Sequence, residues 1–291
     1  MQQKHFLFLV TIVLLTTIAN LQSAAQNIPA DTLRHSENIS VDTSRFAQNI
    51  SAVTSLHPQR NEVKKISHPM NFVKINLTAI ALKNYSIQYE RILSRKFSIA
   101  VAYRTMPVTT LPFKNAILKS VGNADPQSTK TIEDFRLGNT AITPEVRFYL
   151  GKGYGRGFYM AAFYRYASFK SNDVNIFYTD DSGGDGSVKM SGKITANTGG
   201  ILFGVQHFYG KHIILDVWLL GPHYGSGTGN FSGVSPTPLS QTEQNNLKTQ
   251  LEDIKIPLTN KTVNVNANGA SVKLDGPWGG IRAGISLGVR F

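Results

Sequence analysis

Apolar and polar residues alternate in eight runs between Met70 and the end of the chain. In the last run, GISLGVRF, apolar residues occupy every second position and finish with Phe291. A period of two is typical of a strand with one apolar and one polar face. The pattern therefore predicts an all-β fold of about eight antiparallel strands, the first over residues 73–79.

The links between the predicted strands differ in length. Those after strands two, four and six are short, whereas those after strands three, five and seven are long and polar, covering residues 106–139, 170–192 and 221–277. The link after strand one is also short. Outer-membrane β-barrels have short periplasmic turns and longer external loops. The link lengths therefore favour an outer-membrane barrel.

The polar faces of the strands carry few charges, and these are mixed in sign. They are Glu90, Arg104, Glu145, Arg147, Arg165, Asp216 and Arg282. A water-facing surface normally carries many more charges, so we expect this set to pair across a closed lumen. Glu145 shares a face with Arg147, and we expect Arg165 to reach it from the next strand. A second expected pair is Asp216 with Arg282.

That set of charges has two interpretations. It is a structural network that neutralises buried charge, or it lines a lumen that conducts protons or ions. Eight strands enclose an interior that side chains nearly fill. We therefore expect the structural network and no general diffusion pore.

The first 69 residues predict export. Lys4 and His5 precede an apolar stretch over residues 6–18, and small residues follow as far as Ala25. This arrangement is typical of a secretory signal peptide over residues 1–25. Residues 26–69 are rich in Ser, Asn, Thr and Asp and have no sustained period, which predicts a flexible polar periplasmic segment. The barrel is then expected over residues 70–291.

The net charge limits the classes of partner, and the cysteine content limits the possible disulfides and metal sites. The net charge of +12 is compatible with nucleic acid, but an exported protein meets lipid phosphates and other anionic envelope surfaces instead. We expect outer-membrane lipids and lipopolysaccharide as partners, and no nucleic acid. The chain has no Cys, which excludes disulfides and thiolate metal sites. No cofactor, metal or catalytic residue is predicted.

Two motifs allow a more chemical interpretation. In GPHYGSGTG, His223 with Ser226 or Tyr224 would form a rim site that acts on lipids, although a strand exit into a flexible loop explains the glycines more simply. The acidic loop SNDVNIFYTDDSGGDGS contains Asp173, Asp180, Asp181 and Asp185, but it lacks the ligand order of a calcium loop. We interpret it as a solvated loop.

A short helix is expected in the last long link. Leu247, Leu251 and Ile254 have helical spacing, and Ser240 precedes Glu243 by three residues. This is the pattern of a capping box before an amphipathic helix. We expect the helix to cap the mouth of the barrel, with docking to a partner as the alternative.

Four stretches carry a family resemblance. They are NYSIQYERILSRKFSIAVAYR, ITPEVRFYL with the following GFYMAAFYRYA, LDVWLLGPHYG, and the final strand that ends in Phe. In order and spacing they resemble a family of uncharacterised eight-stranded outer-membrane β-barrel proteins of Gram-negative bacteria. The resemblance implies a fold and a location and carries no activity. Outer-membrane proteins as a class also imply that Phe291 belongs to a signal read by the barrel-assembly machinery.

These observations predict an eight-stranded antiparallel transmembrane β-barrel of the outer membrane, with a short helix in the last long loop. The expected role is non-enzymatic, either structural in the envelope or in surface interaction through the long loops. Two alternatives stay open. One is a lipid-modifying enzyme with a rim site, and the other is a soluble exported barrel that binds an apolar ligand.

Overall fold

The computed structural model of the chain describes residues 70–121 and 126–291. The predicted signal peptide and the polar segment 26–69 lie outside the described residues. The described residues form an all-β fold with one antiparallel sheet. None of the helices in these two ranges is both long and apolar enough to cross a membrane.

Nine strands and four helices make up the described fold. The strands are β1 (Asn71–Asn76), β2 (Tyr85–Ile92), β3 (Phe97–Thr110), β4 (Arg136–Tyr149), β5 (Gly157–Thr179), β6 (Asp185–Tyr209), β7 (Ile213–Val234), β8 (Asn260–Asn266) and β9 (Gly269–Arg290). The helices are α1 (Leu77–Ala81), α2 (Lys114–Val121), α3 (Pro126–Asp134) and α4 (Gln241–Asp253).

Eight of the strands close into a ring. Neighbouring strands pair in the order β1 to β7, then β9, and β1 pairs back with β9. At the closing seam, the N–H of Asn71 donates to the carbonyl of Phe291 at 3.1 Å, and the N–H of Phe291 donates back at 2.9 Å. The last strand of the chain therefore pairs with the first. The ninth strand, β8, pairs with β9 alone.

The two ends of the ring are different. At one end, which we call the short-link end, the connections after β2, β4 and β6 are short. At the other, the long-link end, β5, β6, β7 and β9 continue past the ring and are joined by β8. We call the continuation, residues 170–192 and 228–275, the extension. The prediction of polar loops at 170–192 and 221–277 was wrong, because most of these residues pair as strands.

A second hydrophobic core explains why the extension is ordered. Helix α4 begins with the expected capping box, in which the Ser240 hydroxyl accepts from the N–H of Glu243. Its Leu247 and Leu251 are buried against a cluster that includes Val188 and Val272. These strand residues point to the same side of the sheet as the residues inside the ring. The predicted helix is confirmed, and it lies on the interior side of the extension.

Lys261 on β8 fixes the end of α4. Its ammonium group donates to the carbonyls of Leu251 and Ile254, each at 2.6 Å, and to that of Glu252 at 2.9 Å. These carbonyls are the acceptors that a helix leaves unpaired at its C-terminus, where a cation is favourable. Partial burial lowers the pKa of Lys261. The side chain therefore joins α4 to the sheet by direct hydrogen bonds.

The first strand is shorter than its alternation predicts. Asn76 ends β1, and its side-chain oxygen accepts from the N–H of Ala79 at 2.7 Å and from the Thr78 hydroxyl. Asn commonly stops a strand in this way, because it offers the backbone a local partner and caps a helix. Residues 77–79 are therefore in α1 rather than in the strand predicted over 73–79. The ring wall beside β9 consequently has a helical turn in place of a strand.

The ring is apolar outside and polar inside. Outward-facing Ile99, Val101 and Val146 are 45%, 47% and 53% exposed. Inward-facing Glu90 and Arg147 are completely buried. A ring that folds in water places its apolar face inward. The arrangement found here is the reverse.

Candidate functional site

The polar interior contains a compact group of charges toward the short-link end. We call it the interior cluster and define it as Lys74, Glu90, Glu145, Arg147 and Asp216. Strand alternation turns each of these side chains inward from β1, β2, β4 or β7. Each of the five residues is at most 3% exposed. The site is therefore built by strand register alone.

Lys74 lies at the centre of the interior cluster. Its Nζ donates to Glu90 Oε2 at 2.6 Å, to Asp216 Oδ2 at 2.6 Å and to Gln206 Oε1 at 2.7 Å. An ammonium group has three N–H donors, and all three have an acceptor. The residues that it joins come from opposite sides of the ring.

Arg147 provides the second cation. Its guanidinium donates to Glu145 Oε2 at 2.9 Å, to Asp216 Oδ2 at 2.8 Å and to Glu90 Oε2 at 3.3 Å. Its Cζ lies 4.5 Å from the centre of the Tyr159 ring. Buried charges are tolerated when they are paired and hydrogen-bonded. Arg147 meets both conditions.

Hydroxyl groups donate further hydrogen bonds to the carboxylates of the interior cluster. Tyr149 Oη donates to Glu90 Oε1 at 2.6 Å, and Tyr159 Oη donates to Asp216 Oδ1 at 2.8 Å. Ser98 Oγ also donates to Glu90 Oε1, at 2.5 Å. With these bonds and those from Arg147 and Arg282, every carboxylate oxygen of the cluster accepts from at least one donor. The cluster can neutralise and hold charge, and it leaves no free nucleophile or base.

Two of the expected ion pairs are wrong. Arg282 donates to Glu145 Oε1 at 2.7 Å, whereas Arg165 has no carboxylate within 4.0 Å among the described residues. The register explains this, because Phe163 on β5 lies opposite Glu145 and Arg165 lies nearer the long-link end. Asp216 pairs with Lys74 and Arg147 instead of Arg282, since Ser286 is its neighbour on β9.

Lys74 was missing from the predicted set. The signal was present, because Lys74 lies on the polar face of the first alternating run. The pattern does not contain the ring closure, which brings the Lys74 side chain on β1 within hydrogen-bond reach of Gln206 on β6 and Asp216 on β7. A lysine near the start of a short run looks like a solvated position until ring closure is known.

The remaining predicted charges lie above the interior cluster. Arg104 donates from Nε and Nη2 to Asn139 Oδ1 at 3.1 and 2.9 Å. Arg104, Arg165 and Arg282 line a cavity of about 320 Å³, which we call the upper cavity. The predicted set is thus divided between a neutralising cluster and a cationic cavity.

The rim site considered as an alternative is not assembled. His223 points into the ring, whereas Tyr224 and Ser226 are exposed on the opposite face of β7. A base and a nucleophile must lie within hydrogen-bond reach, and a strand separates these side chains. The described residues also contain no group of three His, Asp or Glu arranged to hold a metal.

Comparison with known proteins gives no relative. The chain matches no family model, no curated protein and no solved structure. The resemblance to the barrel family stays a prediction. The functional argument therefore depends on the geometry of the ring and the extension.

Proposed function

We propose that this chain is an outer-membrane β-barrel of a Gram-negative envelope, with a non-enzymatic role in surface interaction. One observation carries the proposal. The outer face of the ring is an exposed apolar belt, while the charges are buried inside. Lipid is the environment that makes such an exterior favourable, and a closed ring leaves few strand edges unpaired in hydrocarbon.

The outward-facing aromatic residues lie on both sides of the apolar belt and so support its placement in a membrane. Tyr103 and Tyr166 lie on the outer face toward the long-link end, and Phe97 and Phe158 lie on it toward the short-link end. Aromatic girdles of this kind flank the apolar band of membrane barrels. In this orientation the short links face the periplasm and the extension stands outside the cell.

We propose different roles for the ring and for the extension, because each has its own packed interior. The interior cluster fills the barrel near the short-link end, so the proposed barrel is not a diffusion pore. The extension has its own core and presents strands and α4 beyond the membrane, where loops and projections of barrels carry function. We propose that it contacts a partner at the cell surface, with lipopolysaccharide and outer-membrane lipids around the belt. A soluble barrel for an apolar ligand is disfavoured by the polar interior.

The proposal is tested by locating the chain in expressing Gram-negative cells. We expect it in the outer-membrane fraction after carbonate washing, with a gel mobility in detergent that changes on boiling. Protease added to intact cells should cut within the extension and leave the ring protected. A chain in the soluble fraction with a single mobility would contradict the proposal.

A further inference from the structure

The ring wall has a gap beside β9. Over residues 276–285, the only described strand that pairs with β9 is β7, because β1 ends at Asn76 and β8 reaches only Asp275. Helix α1 covers part of this edge, where the N–H of Ile285 donates to Thr78 Oγ1 at 3.4 Å. The remaining edge borders the upper cavity.

The upper cavity reaches the outer face through this gap. Its lining includes Leu219, Ile281 and Ala283, which lie on the outward side of β7 and β9 or at the β-bulge between them. From the long-link end it is lined by Leu111 and Ile117. The cavity therefore opens sideways, and apolar residues surround the opening.

The polar end of the upper cavity carries unbalanced positive charge. Arg104, Arg165 and Arg282 all line it, and no Asp or Glu of the described chain does. Arg282 is paired with Glu145, which also serves Arg147. The other two guanidinium groups have no ion pair among the described residues. The three charges repel one another.

Three buried polar atoms in the same lining have no hydrogen-bond partner among the residues that the structure describes. They are Nη1 of Arg282, Nε1 of Trp218 and Nδ1 of His223. Arg282 and Trp218 are 7% and 8% exposed. Buried donors are nearly always hydrogen-bonded in folded proteins. A ligand with several acceptor oxygens would satisfy the two donors and a protonated Nδ1 of His223, and would supply the negative charge that Arg104 and Arg165 lack.

We infer that the upper cavity binds the anionic headgroup of an amphiphile, a phosphate or a carboxylate, whose acyl chain leaves through the gap beside β9. Guanidinium groups bind both anions in a bidentate way. A volume of about 320 Å³ is at the lower end of small-molecule sites, so it accepts a headgroup and not a whole membrane lipid. The sideways path rests on the proposed membrane placement.

The chain contains its own reporter for this site. It has two tryptophans, Trp218 and Trp278, and both line the upper cavity. We would titrate the full chain in dodecyl maltoside with dodecyl phosphate brominated on its chain, and follow tryptophan emission. Bromine quenches at short range, so we expect saturable quenching at low micromolar ligand. Brominated dodecyl maltoside, which lacks the charge, should quench weakly and without saturation.

Charge variants test the arginines. Arg104→Gln with Arg165→Gln should weaken binding at least tenfold. The matched control is Lys170→Gln with Lys193→Gln, which removes two exposed positive charges from the outer face of β5 and β6 and should change affinity less than twofold. Equal loss in both pairs, or no loss in the first, would overturn the inference. If the arginine pair fails to fold, the wild-type comparison of charged and uncharged quenchers still decides.

Unlabelled competitors separate a lipid headgroup from a free anion. Dodecyl phosphate and dodecanoate should displace the brominated probe at micromolar concentration, and inorganic phosphate only at concentrations at least a hundredfold higher. Displacement by inorganic phosphate as tightly as by dodecyl phosphate would overturn the assignment to an amphiphile. A chain that is heat-modifiable in the outer membrane but binds no probe refutes this inference alone, whereas a soluble chain refutes the proposed function first.

Discussion

The two levels of the ring interior are built by the same strands and differ in charge balance. The interior cluster combines two cations with three carboxylates, and the third cation that reaches it is Arg282. The upper cavity adds Arg104 and Arg165 without a carboxylate. Balanced, fully bonded charge holds strands together, whereas unbalanced charge around a cavity favours a ligand. Polar residues inside a closed sheet therefore have to be sorted by their partners before a role is assigned.

The largest effect should come from breaking the interior cluster. Lys74→Met removes the cation shared by Glu90 and Asp216 and leaves buried carboxylate charge uncompensated, which we expect to cost about 3–5 kcal/mol. The temperature at which the folded gel band converts to the unfolded band measures this loss. Lys152→Met, at an exposed position, is the control and should leave that temperature unchanged.

A conversion temperature of the Lys74 variant close to that of the wild type would mean that the interior cluster does not hold the ring together.

The second prediction asks whether the interior depends on the extension. Leu247→Ala deletes a fully buried side chain from the core beneath α4 and should cost about 2–5 kcal/mol there. Because that core is separate from the ring, protease should cut the extension faster, while the ring still runs as the folded band on unboiled gels. Leu258→Ala, at a residue that is 85% exposed, should behave as wild type. Simultaneous loss of both parts would show that they fold as one unit.

A third variant makes the upper cavity resemble the interior cluster. Asn139→Asp gives Arg104 a carboxylate in the place of an amide oxygen that it already contacts. The two bonds from Arg104 become stronger with a charged acceptor, while the variant loses the one long bond that Asn139 Nδ2 donates to the Ser168 carbonyl at 3.3 Å. We expect stability to rise by less than about 1 kcal/mol. Quenching by brominated dodecyl phosphate should weaken in the same variant. Unchanged quenching with increased stability would separate Arg104 from the ligand site.

The smallest effect is expected for Arg165→Leu. Arg165 is buried with no ion pair among the described residues, and replacing such a charge by an apolar side chain is often neutral or stabilising. We expect a change in stability within about 1 kcal/mol. The same thermal conversion assay, run beside the Lys74 variant, measures it. A loss as large as that of Lys74→Met would remove the distinction between the two levels.

Much of the ring was predictable, because alternation along a strand directly indicates which residues share a face of the sheet. The outward Ile99 and Val146 and the inward Glu90 and Arg147 follow from a period of two. Helix α4 was predictable because its capping box and apolar spacing are local. The strands of the extension were not, since their sequence is rich in Gly, Ser and Asp and is ordered by pairing and by a distant helix.

The sites depended on information that the sequence does not contain locally. The expected partners of Glu145 and Asp216 were wrong because ion pairs across a ring depend on register. The gap beside β9 arises from a single local choice at Asn76, where a side-chain cap replaces the next strand residue. The upper cavity follows from that choice, and no alternation pattern indicates it.

The central claim, that the outer belt lies in lipid and the extension lies outside the cell, is tested most directly by two single cysteines. The chain has no Cys, so each variant carries one label site. Val146→Cys lies on the belt and Lys189→Cys on the outer face of the extension. We predict that a membrane-impermeant maleimide labels Lys189→Cys on intact cells, and labels Val146→Cys only after unfolding in detergent. Equal labelling of both in the native protein would contradict the account.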